Sequence, residues 1–290
     1  MHKKDKARCD YAALGCISNF SFLRGASHPH ELIEKAAAEG WSSCGIADYH
    51  TVSGLVRAHQ SAIEQSIKLL CGVRLIIDCS EYVKQSEKPR QKESIEVIIY
   101  AANRAGYESL CQLLSRVNMA LAYIPATKRA ANLYVHVSEL ARLGPDVFVI
   151  IEAPEVITSF ILRHCHQIQK FVTAPLLLGS AIYRDGNDKK RLQYVSDLAS
   201  CLGLSFVALV NSLYHHSSRR PLADVLYCIR NKKTLLSAGK ELSRNAERHL
   251  MKSSEHIRLW SEYPEAIIAA SELARACTFS LSQLSYEYPD

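Results

Sequence analysis

The chain has 290 residues, of which 48% are apolar and 22% charged, with a net charge of +6. These are ordinary values for a soluble globular protein, long enough for one large α/β domain or two smaller ones. The opening MHKKDKARCD lacks the apolar core of a signal peptide, and no apolar run approaches the roughly 20 residues a bilayer requires. A cytoplasmic protein with no membrane partner is expected. None of the ten cysteines falls at C-x-x-C spacing, which argues against a zinc ribbon or a redox motif.

The first apolar run, 12–17, reads as a strand that breaks at Ser18 and Asn19 and turns through Arg24 and Gly25. A helix restarts behind Ser27 and Pro29, runs over 29–39 and stops at Gly40. Strand 43–47 ends at Asp48, and helical spacing follows over 53–65. The apolar run 67–77 leads to a polar stretch, 78–94, that reads as a hairpin tip or mobile loop. Strand 95–101, helix 107–121 and loop 124–132 follow. The second half repeats the rhythm, with a short capped helix at 138–143, strand 147–151 and helix 155–171. Strand 176–183, helix 188–202 stopped at Gly203, and strand 205–210 come next. From Pro221 on, every pattern is helical, which reads as an appended subdomain. Such alternation predicts a mostly parallel sheet with helical crossovers, open or closed into a barrel.

Charge is concentrated. Residues 219–252 hold nine Lys/Arg against three acids, which is the whole +6 excess. A basic segment of this kind suits a surface that meets phosphates, and Arg219, Arg220, Arg230, Lys232 and Lys233 are its candidate nucleic-acid contacts. A solvated helical face is the alternative. No G-x-x-x-x-G-K-[ST] loop and no G-x-S-x-G elbow occurs. His164 and His166 share a helical pattern at i, i+2 and so face different ways. His28 and His30 flank a helix start and read as a cap and an exposed side chain. Arg24 could offer a guanidinium to a phosphate, although bracing its own loop is the more economical role.

The runs SNFSFLRGASHP at 18–29, SGLVRAH at 53–59, RRPLADVL at 219–226, NAERHL at 245–250 and SYEYPD at 285–290 resemble the amino-terminal part of the bacterial error-prone DNA polymerases. These are relatives of the replicative polymerase III α subunit. The resemblance implies a polymerase-and-histidinol-phosphatase (PHP) domain, a distorted seven-stranded βα barrel. It implies a tail over 1–10, the barrel over 11–218, and a helical extension over 219–290 leading toward a polymerase palm that would follow. Other polymerase domains, DNA and translesion-repair proteins are the partners it implies.

The same resemblance implies a metal site, from which this chain departs. Metal-binding PHP proteins place two histidines at i, i+2 on the first strand, where alternate residues share a face. Gly15 and Ile17 stand there, and neither can bind a metal. In the second motif Asp48 remains, Tyr49 replaces a histidine and His50 follows. Ala181 stands at a later acid position, and the last motif reads Asn211 to His215 without its aspartate. Asp48, His50 and His215, with Tyr183, are the residual candidates for zinc or manganese. No catalytic residue and no resident cofactor are expected. The leading expectation is a degenerate PHP module acting as a scaffold in an error-prone polymerase. The alternatives are a metal-dependent phosphoesterase or 3′–5′ exonuclease, and a free-standing DNA- or protein-binding remnant.

Overall fold

Apolar runs such as LLCGVRLII and VFVII are too continuously hydrophobic for a half-solvated strand, so they must be covered on both faces. The computed structural model, which describes residues 9–79, 94–122, 133–157 and 160–284, meets that demand with a barrel. Its first half runs β1 (Cys9–Cys16), α1 (Pro29–Ala38), β2 (Trp41–Tyr49), α2 (Leu55–Glu64), β3 (Lys68–Asp78), β4 (Ser94–Ala101) and α3 (Arg104–Ala122). The second half continues with β5 (Val135–His136), β6 (Val147–Glu152), α4 (Ile161–Phe171), β7 (Leu176–Ala181), α5 (Asp188–Leu202) and β8 (Ser205–Leu209). Then come α6 (Arg220–Asn231), the single turn α7 (Leu235–Ala238), α8 (Ser253–Leu259) and α9 (Pro264–Ala276).

The strands pair in the order β1-β2-β3-β4-β6-β7-β8, with the short β5 beside β3. Most neighbours are parallel, but β4 is antiparallel to both β3 and β6. The ends nearly meet. Backbone N of Val210 and of Asn211 donate to Leu14 O at 2.9 and 3.2 Å, and Ile17 N donates to Ser212 O at 3.0 Å. The seven-stranded barrel implied by the resemblance is therefore present, and in it the carboxyl ends of most strands share one mouth.

Several local expectations change. The helix expected over 155–171 starts at Ile161, after Pro154 and a bend. The short helix near 138–143 is a 3-10 helix, Val137–Arg142. Residues 80–93 of the stretch read as a hairpin tip over 78–94, the loop over 124–132, most of the tail over 1–10 and the SYEYPD run lie outside the described residues. The strands flanking the first of these do pair, Asp78 opposite Ser94.

The unbroken helical tail is also a misreading. Lys232 adopts a left-handed φ of +54° and ends α6, and residues 242–252 form no helix. They cross the barrel instead, with Leu213 N on Arg248 O at 2.9 Å and Asn245 Nδ2 on Tyr183 O at 2.8 Å. Nor does α9 stand apart, since it packs over β8 and β1 and so covers the seam. Trp41 Nε1 donates to Met251 O at 2.9 Å, and His256 is buried among Tyr11, Trp41 and Trp260. By contrast α6 buries only Cys228 and leaves Leu222, Val225 and Ile229, one helical stripe, exposed. Among the described residues no helix is long and apolar enough to cross a membrane.

Candidate functional site at the barrel mouth

A charged side chain in a strand covered on both faces must find opposite charge, because burial alone would cost several kcal/mol. Arg74 is such a residue, 1% exposed in the middle of β3. Its Nη1 donates to Glu96 Oε2 of β4 at 3.0 Å and is in direct contact with Glu152 Oε2 at the end of β6. Its Nη2 donates to Asn211 Oδ1 at 2.8 Å and to Gly15 O at 3.3 Å. The planar guanidinium fork thus ties four strand ends together, which a lysine could not do.

The surrounding groups complete this network. Tyr49 Oη donates to Glu96 Oε2 at 2.6 Å, and Asn211 Nδ2 reaches both Glu152 Oε1 and Tyr183 Oη. Two carboxylates face one buried guanidinium, and a second cation stands above them. Arg24 lies over the Tyr49 ring, 3.9 Å from its centroid. Burial works against ionisation of Glu96, but the Arg74 charge and the Tyr49 hydroxyl overcome it and hold the carboxyl below its usual range.

Gly15 closes the floor. Its φ is +80°, and a β-carbon there would lie 2.3 Å from Asn211 Oδ1. Its N–H donates to Tyr100 Oη at 2.7 Å, while that ring fills the barrel interior against Gly45 and Gly72. No side chain fits at this position without moving Asn211.

The residual ligand candidates are not brought together. Asp48 accepts from Ser18 N at 2.8 Å, Ser18 Oγ at 2.6 Å and Ser21 Oγ at 2.5 Å, so it braces the 18–25 loop. Burial outweighs these bonds and raises its pKa. His50 sits at φ +57° and donates its N–H to Arg74 O at 2.9 Å. Burial, then the charge of Arg24, pushes its pKa down to about 4. His215 instead holds Ser27 Oγ at 2.8 Å, beside Glu31. Tyr183 joins the Arg74 network, and Ala181 offers only its carbonyl, to Arg191. Among the described residues no group of three His, Cys, Asp or Glu is arranged to hold a metal ion.

The basic candidates separate as well. Arg219 donates to Glu31 Oε1 at 2.6 Å, Arg220 to Ser243 O at 2.7 Å, and Lys233 contacts Glu241. Lys232 is exposed at the end of α6. Arg230 turns away from that surface and lies over Tyr227, lining the cleft above the barrel mouth. His28 donates its N–H to Glu31 at the start of α1, and His164 is buried while His166 is exposed.

Sequence reasoning missed Arg74, Glu96 and Glu152. The available signal was a charge set against apolar residues in each of three strands: Arg74 inside KLLCGVRLIID, Glu96 in SIEVIIYA and Glu152 at the end of VFVIIE.

A distorted barrel with its mouth at the strands' carboxyl ends is a PHP-type architecture, and residues 14–150 match the PHP domain family. An amidohydrolase from Chromobacterium violaceum has the same general fold, with a TM-score of 0.50, 12% identity, and coverage of 69% of this chain and 86% of its own. Residues 14–150 of this chain are thus similar to PHP domains. Over 97% of its length it is also similar to error-prone DNA polymerases, with 35% identity to that of Bradyrhizobium sp. (strain ORS 278) and 36% to that of Mesorhizobium japonicum. It spans about a quarter of these relatives, 23% and 24% of their lengths.

Proposed function

We propose that this chain is the amino-terminal PHP module of an error-prone, translesion-type DNA polymerase, and that it serves as a scaffold rather than a catalyst. The observation that carries this reading is the Arg74 guanidinium held between Glu96 and Glu152 at the barrel mouth. A metal cluster does not fit these residues. Gly15 and Ile17 bring no donor to β1, and Asp48 already receives three hydrogen bonds from its loop. The two carboxylates nearest the mouth both face the protein's own Arg74 guanidinium. The network does mechanically what a shared metal would do, fixing strand ends to one another, and it supplies no Lewis acid.

The exposed stripe Leu222, Val225 and Ile229 on α6 supports the scaffold reading, because further polymerase domains of the same protein would cover it. Such a module would work in the cytoplasm, and alone it would not extend a primer. Nucleotidyl transfer needs carboxylates on two metal ions, and Glu96 and Glu152 are committed to Arg74.

The test is elemental analysis of chain purified without chelators, alongside a phosphoesterase assay. Well under one equivalent of zinc, manganese or iron, and hydrolysis equal to a no-protein control, are expected. Stoichiometric metal that disappears on Asp48→Ala would instead establish the phosphoesterase reading.

A further inference from the structure

The fold brings together two cysteines that lie 28 residues apart in sequence. Cys16 ends β1, Cys44 lies within β2, and Cys44 Sγ donates to Cys16 Sγ at 3.8 Å. Both are free thiols, wholly buried. The local backbone explains the contact. On β2, Cys44 and Ile46 are two positions apart, while their partners on β1, Ala13 and Cys16, are three apart. In a regular strand that odd offset would turn Cys16 to the opposite face. The extra residue makes a bulge at Gly15, whose φ of +80° returns Cys16 to the face where Cys44 lies.

The two thiols are chemically unequal. The Cys44 S–H bond holds the Cys16 thiol below its usual range against burial, with help from the Ser212 hydroxyl and the Arg74 charge. The same bond, together with burial, pushes Cys44 well above its own range. Cys16 is therefore the readier nucleophile, and Cys44 is placed to capture what forms on it. The seam supplies a way in. Beside Cys16 the barrel closes through Ile17 N on Ser212 O at 3.0 Å and through Leu14 O, and Ile17 itself lines the cleft. Local opening of so short an edge admits a molecule little larger than water.

We propose that Cys16 and Cys44 are a reversible oxidation site, closed into a disulfide by hydrogen peroxide. The Cys16 thiolate attacks one peroxide oxygen and the O–O bond breaks, leaving a sulfenic acid on Cys16. The departing hydroxide takes up the proton that the thiol gave up. Cys44 then loses its proton and attacks that sulfur, the S–O bond breaks, and the sulfenic oxygen departs as water. Two thiols lose two electrons, and one peroxide becomes two waters. Two equivalents of a small thiol reverse the step and become a disulfide themselves. The bond joins strands that are already neighbours, so it adds a covalent tie to β1, the strand at the seam. No part of the step uses the Arg74 network as a site or needs a metal. The inference stands whether or not the scaffold reading does.

The test uses the full chain with Cys201→Ser, which removes an exposed thiol. The folded protein is treated with hydrogen peroxide, alkylated in denaturant, digested and mapped by mass spectrometry. A Cys16–Cys44 cross-linked peptide and an intact mass about 2 Da lower are expected, both reversed by dithiothreitol. Cys44→Ser should halt the reaction at a Cys16 sulfenic acid, trapped by a dimedone probe. Cys16→Ser should leave Cys44 reduced. Circular dichroism shows which variants fold. If a serine is not tolerated in the core, alanine at the same position gives the same readout, and the parent's cross-link map decides without any variant. The proposal fails if both cysteines stay fully alkylatable in the treated parent, or if Cys16 links to another cysteine. It fails equally if the cross-link forms only after unfolding in urea, or if Cys44 oxidises as readily without Cys16.

Discussion

A β-carbon on residue 15 would stand 2.3 Å from Oδ1 of Asn211, so Gly15 and Asn211 constrain each other across the barrel seam. Any side chain at residue 15 would have to displace Asn211 and the Arg74 fork that donates to it.

Gly15→Ala should cost about 2–4 kcal/mol, combining a left-handed backbone with an overlap that Asn211 must relieve. Urea unfolding followed by fluorescence measures it. A cost below about 0.5 kcal/mol, the range of an inert surface change, would mean that the seam is looser than described.

Arg74→Met keeps the side-chain bulk and strands two carboxylates, for an expected loss of about 3–5 kcal/mol at pH 7. Converting Glu96 and Glu152 to Gln in the same background should recover most of it. The pH dependence gives an independent sign. In the parent, Glu96 is held below its unfolded value, so its contribution is present above the unfolded pKa and lost as pH falls through the folded one. Without Arg74, burial dominates and the folded pKa rises above the unfolded value, so acid favours the variant. The stability gap between parent and variant should narrow from pH 7 to pH 5, and a widening gap would contradict the network.

His256 is 3% exposed among aromatic rings, and burial pushes its pKa down to about 3. A base depressed in the folded state contributes stability above its unfolded pKa and loses it as pH falls toward the folded one. Between pH 6.5 and 5 this one histidine should remove about 2 kcal/mol, with His50 acting in the same direction. His256→Gln should flatten the stability profile by about one proton in that window. An unchanged slope would relocate the titrating group.

Asp48 offers a comparison between two substitutions. Asp48→Ala leaves Ser18 N, Ser18 Oγ and Ser21 Oγ without an acceptor and should cost about 2–4 kcal/mol, with faster proteolysis in the 18–25 loop. Asp48→Asn keeps one acceptor oxygen and sheds a buried charge, so it should cost about 1 kcal/mol or less. If the two are equally damaging, the charge itself matters and a ligand role returns.

The alternation of apolar runs and amphipathic stretches was legible as far as β8, because periods of 2 and 3.6 survive in the sequence whatever the tertiary context. Pro29 opens α1 and Gly203, at φ +66°, closes α5, as their residue types require. An apolar run carries no arrow, so the reversal of β4 was not legible. Arg74 was hidden for a related reason, since a lone charge in a hydrophobic strand announces a partner without saying which. Where each charge of the basic cluster over 219–252 points was not legible either, because a count of charges omits direction. Arg219 and Lys233 point at acids of the protein itself, Arg220 at a backbone carbonyl, and Arg230 into the cleft.

The seam between Leu14 and Val210 sets the timing of folding. The outer edge of β1 finds its partner only after almost the whole barrel sequence has been made, and at 5–20 residues per second that delay is roughly 10–40 s. During it β1 presents unpaired N–H and C=O groups, an open template for another strand. A nascent chain is thus most vulnerable to mispairing early and safest once 205–213 has emerged. Any version ending before Val210 keeps that edge open permanently.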